Sequence, residues 1–172
     1  MTPVPAILMP TDALLAAQAL TLSECLLARG LSIVTAESCT GGWIAKVLTD
    51  IPGSSAWFEC GVVAYSYRAK EVLLGVRRQT LEDSGAVSAQ TAMEMVCGAQ
   101  SRHAADVAVA VTGVAGPGGG TPDKPIGTVW IGWKRAGGQA RVQLFTFQGD
   151  REAVRRQTVA AALDGVRQIL TD

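Results

Sequence analysis

The sequence predicts an α/β protein, a three-layer α/β/α sandwich built on a mixed, mostly parallel sheet of about five strands. The 172 residues are 48% hydrophobic and only 17% charged, which suits a single well-buried domain over residues 1–172. Short apolar runs alternate with segments of helical apolar spacing, as is typical of parallel strands joined by helices. Two final apolar runs, separated by a glycine pair, predict an antiparallel hairpin that closes the sheet.

The first half of the chain predicts alternating helices and strands. Thr11 and Asp12 can cap a helix that Gly30 ends, because Leu15, Ala19, Leu22 and Leu26 recur there at helical spacing. A strand over 31–34 follows directly. The next predicted elements are a short helix over 43–48, a break over 51–55, a strand over 61–65 and a helix over 68–74 that Gly75 ends.

The second half predicts one buried strand and the closing hairpin. Ser88 can cap a helix whose apolar stripe is Ala92, Met95, Val96 and Ala99. The run 107–111 is apolar throughout, which predicts a strand buried on both faces. A loop rich in glycine and proline over 114–125 comes next, then strands over 128–133 and 141–147 joined at Gly137-Gly138, and a last helix capped by Asp150.

Charge and cysteine usage exclude several classes of protein. Fifteen basic and fifteen acidic side chains give no net charge, so we expect no nucleic-acid or membrane partner. The four cysteines show no C-x-x-C pairing, which favours reduced thiols over disulfides or a metal site. The first five residues lack the pattern of a signal peptide, and we expect a cytoplasmic protein. The four tryptophans suit a core or a subunit contact, and we expect a homo-oligomer.

The most informative segment is Thr35–Gly42, with the sequence TAESCTGG, directly after the apolar run that ends at Val34. It places the Ser38 hydroxyl where a strand passes into a helix. The backbone N–H groups of such a helix start are unpaired, and the glycine pair lets the main chain approach a ligand closely. The segment is therefore a candidate site for a nucleophile.

Three further segments are predicted to converge with Ser38. Ligands of open α/β sheets bind beyond the carboxyl ends of the strands, and Tyr65 and the pair Thr112-Gly113 lie at the carboxyl ends of predicted strands. Lys70 comes five residues after Tyr65, on the following helix. A lysine that loses its proton through burial can accept the proton of a serine hydroxyl, which gives a serine-lysine dyad without histidine.

Simpler roles compete with these assignments. Ser38 could serve only as a helix cap, which is the more frequent role of such a serine. Cys39 is a rival nucleophile, but neighbouring residues at a strand end point to opposite faces, so we expect it to be buried and inert. The single histidine, His103, lies at a predicted helix end far along the chain, which disfavours a histidine-containing triad. Lys70 alone would more often be a solvated helix residue, and Tyr65 a strand-end aromatic.

At these residues the chain resembles the nicotinamide-nucleotide amidohydrolase family, which is also the C-terminal domain of CinA competence/damage-inducible proteins. The matching motifs occur in the expected order and are TAESCTGG at 35–42, DIPGSS at 50–55, YS at 65–66 with AK at 69–70, GAVS at 85–88, TGVAGPGG at 112–119, KPIGTV at 124–129, and GDR at 149–151 with Arg155. The family usually has asparagine where this chain has Tyr67.

The resemblance implies hydrolysis of the carboxamide of nicotinamide mononucleotide (NMN) to nicotinate mononucleotide and ammonia, in pyridine nucleotide salvage. It assigns the nucleophile to Ser38 and the base to Lys70, without metal or cofactor, and Tyr65 is a candidate to orient or relay. Backbone N–H groups near Gly41-Gly42 or Thr112-Gly113 are candidates for the oxyanion hole. Candidate phosphate donors are the glycine-rich loop from Gly116 to Gly120 and the side chains of Lys124, Arg151 and Arg155.

Two other functions remain open on the sequence alone. The competence and damage-response associations of the wider family do not require hydrolysis, so a non-catalytic partner-binding module is conceivable. An amidase for another nucleotide or small carboxamide is the second alternative, which the loop and Tyr67 leave possible. The presence of both Ser38 and Lys70 favours an enzyme.

Overall fold

The computed structural model describes residues 9–171, and the segment that bears on a signal peptide lies outside this range. The helices and strands follow one another in an alternating order, with a short 3-10 helix at Ser54–Ala56. In chain order they are α1 (Asp12–Arg29), β1 (Ile33–Glu37), α2 (Trp43–Thr49), β2 (Phe58–Val63), α3 (Tyr67–Leu74), α4 (Arg78–Ser84), α5 (Ala89–His103), β3 (Val107–Gly113), β4 (Thr128–Arg135), β5 (Arg141–Thr146) and α6 (Arg151–Thr171).

The five strands form one mixed sheet in the order β2-β1-β3-β4-β5. Strand β1 pairs in parallel with both β2 and β3, so the carboxyl ends of these three strands meet at one edge. Strand β4 runs antiparallel to β3 and to β5. The predicted α/β fold with a mixed five-stranded sheet is confirmed, and the predicted convergence of strand ends follows from this order.

Alternating side chains of the central strands feed two apolar cores, one on each face of the sheet. On β1, Ile33 belongs to the core under α1, α2 and α6, whereas Val34 and Ala36 belong to the core under α3, α4 and α5. Strand β3 is fully buried except at its last residue, as its continuous apolar sequence predicts. The sheet is therefore the middle of three layers.

The predicted helix caps are present. The side chains of Thr11, Ser88 and Asp150 accept hydrogen bonds from the N–H groups of Leu14, Thr91 and Ala153. Gly30 and Gly75 end their helices with φ values of 61° and 69°, a left-handed conformation that glycine adopts without strain.

Several predicted boundaries were wrong. Strand β1 begins at Ile33 and continues to Glu37, so Ser38 is the first residue after it. Strand β2 covers 58–63 rather than 61–65, and α3 begins at Tyr67 with Ser66 as its cap. Helix α4 was not predicted, because its seven residues carry a single large apolar side chain, Leu81, and show no apolar stripe.

Candidate active site

Ser38 lies at the carboxyl end of β1, beside the end of β3. Its N–H donates to the Val111 carbonyl at 3.0 Å, which continues the parallel ladder by one residue. The alternation along β1 turns Ser38 to the side of α3, whereas Glu37 and Cys39 turn to the side of α2. Ser38 is 8% exposed, so its hydroxyl is nearly enclosed.

Lys70 reaches this hydroxyl from α3. Its Nζ lies 2.9 Å from Ser38 Oγ, and it donates to the carbonyls of Ala64 at 2.8 Å and Tyr65 at 3.3 Å. The side chain is 1% exposed, and within residues 9–171 no carboxylate lies within salt-bridge distance of it. Burial lowers the pKa of Lys70 from 10.5 to about 8. A buried lysine without an acidic partner is suited to act as a base.

The three oxygens around Nζ suit both protonation states of the lysine, because an ammonium can donate to all three. A neutral amine has two N–H donors and one lone pair. The Ala64 and Tyr65 carbonyls accept the two N–H groups, and the Ser38 hydroxyl can donate to the lone pair. Once Lys70 is neutral, this arrangement lets the serine proton pass directly to the nitrogen.

Cys39 follows Ser38 but lies in the core on the opposite face. It is 5% exposed, and burial raises the pKa of its thiol to about 12. A thiol with this pKa forms almost no thiolate at neutral pH. The geometry therefore favours Ser38 over Cys39 as the nucleophile.

Glu37 organises the turn after Ser38, and sequence reasoning missed it. This carboxylate is fully buried and accepts from the Thr40 hydroxyl at 2.6 Å. It also accepts from the backbone N–H groups of Gly42, Ile44 and Ala45, at 3.0, 3.0 and 2.8 Å. These N–H groups form the first turn of α2, where a negative charge is favourable. The only sequence signal is an acidic residue shortly before a predicted helix start.

The Gly41-Gly42 pair makes the turn possible. Both residues have positive φ values, 62° and 96°, which side chains with a Cβ rarely adopt. Their N–H groups are already engaged, since Gly41 donates to the Ser38 carbonyl and Gly42 to Glu37. The role of this pair in an oxyanion hole stays a prediction.

Thr112 and Gly113 end β3 beside Ser38. The Thr112 hydroxyl donates to the Ala86 carbonyl at 2.7 Å, which leaves its oxygen as an acceptor only. A Cβ at Gly113 would lie 2.7 Å from the Thr128 carbonyl oxygen, so this glycine permits the close pairing with β4. The pair lies next to Ser38, because the Ser38 N–H donates to the carbonyl of Val111, and its role in an oxyanion hole stays a prediction.

Arg151 links three segments at the mouth of the site. Its guanidinium donates to the Gly116 carbonyl at 2.7 Å and to the Tyr65 hydroxyl at 3.0 Å. The Tyr65 side chain is 57% exposed, and its contact with Lys70 is made by the backbone carbonyl. A cavity of about 420 Å³ lies beside this link, lined by residues of the loop and the start of α6.

The other two predicted phosphate donors are bound to the backbone. Arg155 donates through Nε to the Cys39 carbonyl at 3.1 Å and through Nη2 to the Thr40 carbonyl at 2.7 Å. Lys124 donates to the Ser84 carbonyl at 2.7 Å, close to the Tyr67 hydroxyl, which accepts from the Ala86 N–H at 3.3 Å. Their role in phosphate binding stays a prediction.

Two features of the described residues bear on metal binding and on membrane insertion. Within residues 9–171, no cluster of three or more histidine, cysteine or acidic side chains is placed to hold a metal ion. No helix in this range has the length and apolarity needed to cross a membrane.

Fold and site together define an α/β protein with a buried serine-lysine pair at the carboxyl ends of parallel strands. Residues 16–170 match the family described as the CinA C-terminal domain. The chain therefore belongs to this family, and the resemblance seen in the sequence is confirmed.

Similar proteins are named either as nicotinamide-nucleotide amidohydrolases or as competence/damage inducible proteins. The nicotinamide-nucleotide amidohydrolase PncC of Escherichia coli is 52% identical over 86% of this chain and 89% of its own length. The protein of the same name from Pseudomonas putida is 55% identical over 81% and 87%. Among solved structures, a competence/damage inducible protein from Agrobacterium tumefaciens superposes with a TM-score of 0.89 at 42% identity, covering 96% of this chain and 99% of that one.

Proposed function

We propose that this protein hydrolyses the carboxamide of NMN to nicotinate mononucleotide and ammonia, through Ser38 and Lys70, as a step of pyridine nucleotide salvage. The names of the similar amidohydrolases support the reaction and the substrate. The observation that carries the catalytic assignment is the 2.9 Å contact between Lys70 Nζ and Ser38 Oγ.

The first half of the reaction forms an ester on the enzyme. Ser38 Oγ attacks the carboxamide carbon while its proton passes to the neutral Lys70 amine. The tetrahedral intermediate then collapses, and Lys70 returns the proton to the departing nitrogen, which leaves as ammonia. An amine with a pKa of about 8 is suited to both transfers, because it gains and loses a proton near neutral pH.

The second half releases the acid. A water molecule attacks the ester carbon while Lys70 accepts one of its protons, and the proton then returns to Ser38 Oγ. The products are the free serine and the nicotinate carboxylate, with one further proton released to solvent at neutral pH. No step requires a group beyond Ser38, Lys70, water and the donors that stabilise the oxyanion.

Groups around the dyad supply substrate contacts in this proposal. The Thr112 oxygen can accept only, so it suits the amide NH₂ of the substrate. Arg151 is positioned by Gly116 and Tyr65 at the mouth, where its remaining N–H groups suit a phosphate. Tyr65 orients Lys70 through its carbonyl and Arg151 through its hydroxyl.

The test is ammonia release from NMN, nicotinamide and NAD in parallel, with a Ser38→Ala preparation as control. We expect release from NMN and none from the control. Equal release from nicotinamide would indicate an amidase for small carboxamides. Absence of release from all three would contradict the proposed enzyme and favour a partner-binding module.

A further inference from the structure

The turn that follows Ser38 is held from two sides. Glu37 accepts from three backbone N–H groups at the start of α2. Arg155, four residues into α6, binds the two carbonyls on the other side, those of Cys39 and Thr40. Its guanidinium also packs over the Trp43 ring, with Cζ 5.3 Å from the ring centre.

These contacts leave two N–H groups of the turn unused. Of the eight backbone N–H groups of residues 38–45, six have an acceptor within the part of the chain that the structure describes. The other two, those of Cys39 and Thr40, have no acceptor on another residue within 9–171, and the Cys39 N–H contacts the thiol of its own side chain. Buried N–H groups are rarely left unpaired, so this pair requires an explanation.

Arg155 determines how the peptide between Cys39 and Thr40 is oriented. In a trans peptide the C=O and N–H point in opposite directions. Because Arg155 holds the Cys39 carbonyl, the N–H of Thr40 is directed away from the guanidinium. The Cys39 N–H belongs to the preceding peptide, whose carbonyl accepts from the Gly41 N–H, so Arg155 and Gly41 together hold the two peptides that flank Cys39.

We propose that Arg155 and Glu37 are positioning residues that hold this turn so that the Cys39 N–H donates to the oxyanion formed when Ser38 attacks. Of the two N–H groups, that of Cys39 belongs to the peptide bond directly after Ser38. The N–H of the residue after a nucleophilic serine is well placed for this task, because it adjoins the attacked carbon. Arg155 then acts through the backbone and not on the substrate phosphate.

This inference rests on the proposed amidase function, and kinetics distinguish the two roles of Arg155. Loss of a phosphate contact raises KM and leaves kcat nearly unchanged, whereas loss of transition-state stabilisation lowers kcat. For Arg155→Met we expect kcat to fall about 10-fold to 100-fold, somewhat less than for complete removal of an oxyanion donor, with KM within about twofold.

Two further variants separate the backbone contacts of Arg155 from its charge and from its packing on Trp43. Arg155→Lys keeps the charge but cannot span two carbonyls with a planar fork, so we expect most of the kcat loss to remain. Arg156→Met is the matched control, because Arg156 packs over the same Trp43 ring at 4.9 Å but, among residues 9–171, pairs with the carboxylates of Asp12 and Glu152 and not with the turn. Its kcat should stay close to that of the wild type.

A substrate in which sulfur replaces the carboxamide oxygen tests directly whether an N–H group stabilises the oxyanion. Thionicotinamide mononucleotide places the developing charge on sulfur, which accepts N–H hydrogen bonds poorly. The wild type should therefore favour the oxygen substrate strongly, measured as loss of substrate by chromatography. This preference should shrink by about the same factor as kcat in Arg155→Met. A purely structural role would lower both rates equally and leave the ratio unchanged.

Several results would overturn the inference. They are a raised KM with unchanged kcat in Arg155→Met, full activity of Arg155→Lys, an equal loss in Arg156→Met, or an unchanged oxygen-to-sulfur preference. If the wild type released no ammonia from NMN, the proposed substrate would be wrong. The burst of p-nitrophenol from p-nitrophenyl acetate would then decide, since this ester requires the same N–H but no phosphate contact. A burst as fast in Arg155→Met as in wild type would contradict the positioning role.

Discussion

The rate of hydrolysis should depend on pH through a single group, the Lys70 amine. Burial lowers the pKa of Lys70 from 10.5 to about 8. At pH 7 about one molecule in ten then carries the neutral amine, roughly 300 times more than at the unshifted value. We expect kcat/KM to rise about tenfold from pH 6 to pH 7 and to level off above a pH of about 8.

The same shift should appear in stability. In the unfolded chain Lys70 keeps its proton up to a pH of about 10.5, but in the folded chain only up to a pH of about 8. Between these two pH values the unfolded state therefore binds more protons than the folded state. Stability contributed by Lys70 is therefore lowest below pH 8 and increases by about 3 kcal/mol between pH 8 and 10.5. Subtracting the urea unfolding free energy of Lys70→Met from that of the wild type cancels the other titrating groups.

Each of the two measurements, the pH profile of kcat/KM and the pH dependence of stability, has a result that would contradict the lowered pKa of Lys70. A kcat/KM profile that is flat between pH 6 and 8 would mean that Lys70 is not the titrating base. A difference in unfolding free energy that does not change between pH 8 and 10.5 would mean that its pKa is not lowered in the folded state. Either result would refute the assignment of a neutral amine next to Ser38.

Three further predictions concern the neighbours of Lys70. Ser38→Ala should abolish ammonia release with an unchanged circular dichroism spectrum. Cys39→Ala should keep kcat within about threefold of the wild type, since the thiol is buried and protonated. Activity in Ser38→Ala and none in Cys39→Ala would mean that the Cys39 thiol is the nucleophile. Arg151→Met should raise KM for NMN about tenfold or more with a smaller change in kcat, and unchanged kinetics would remove Arg151 from the phosphate site. Glu37→Gln should lower the unfolding free energy by about 2 kcal/mol, because a single amide oxygen cannot accept every hydrogen bond that the two carboxylate oxygens accept, and an unchanged urea midpoint would contradict this.

Much of the site could be predicted from local pattern and topology. The apolar run before Ser38 and the glycine pair after it predict a strand that passes into a helix, and the structure has β1 and α2 there. Period-2 alternation separates Ser38 from Cys39, as the opposite faces of these residues confirm. Lys70 could be placed near Ser38 because parallel neighbouring strands bring their carboxyl ends together.

Other features depend on tertiary contacts that no local pattern encodes. Glu37 has the alternation of a core-facing strand residue, and only the turn around Gly41-Gly42 brings its carboxylate under α2. Arg155 reads as a solvated helix residue or a phosphate donor, since its contact with the Thr40 carbonyl spans 115 residues of sequence. Helix α4 has too few apolar residues for its periodicity to be seen, and its contacts with α5 stabilise it instead.

Trapping the ester intermediate tests the central claim most directly. Wild-type protein mixed with NMN and quenched in acid within milliseconds to seconds should carry the acyl group of nicotinate mononucleotide, since the ester forms before water attacks. Peptide mass spectrometry should place this mass on Ser38, and Ser38→Ala should not acquire it. The modification on Cys39, or ammonia release with no acylated protein at any quench time, would contradict catalysis by a Ser38-Lys70 dyad.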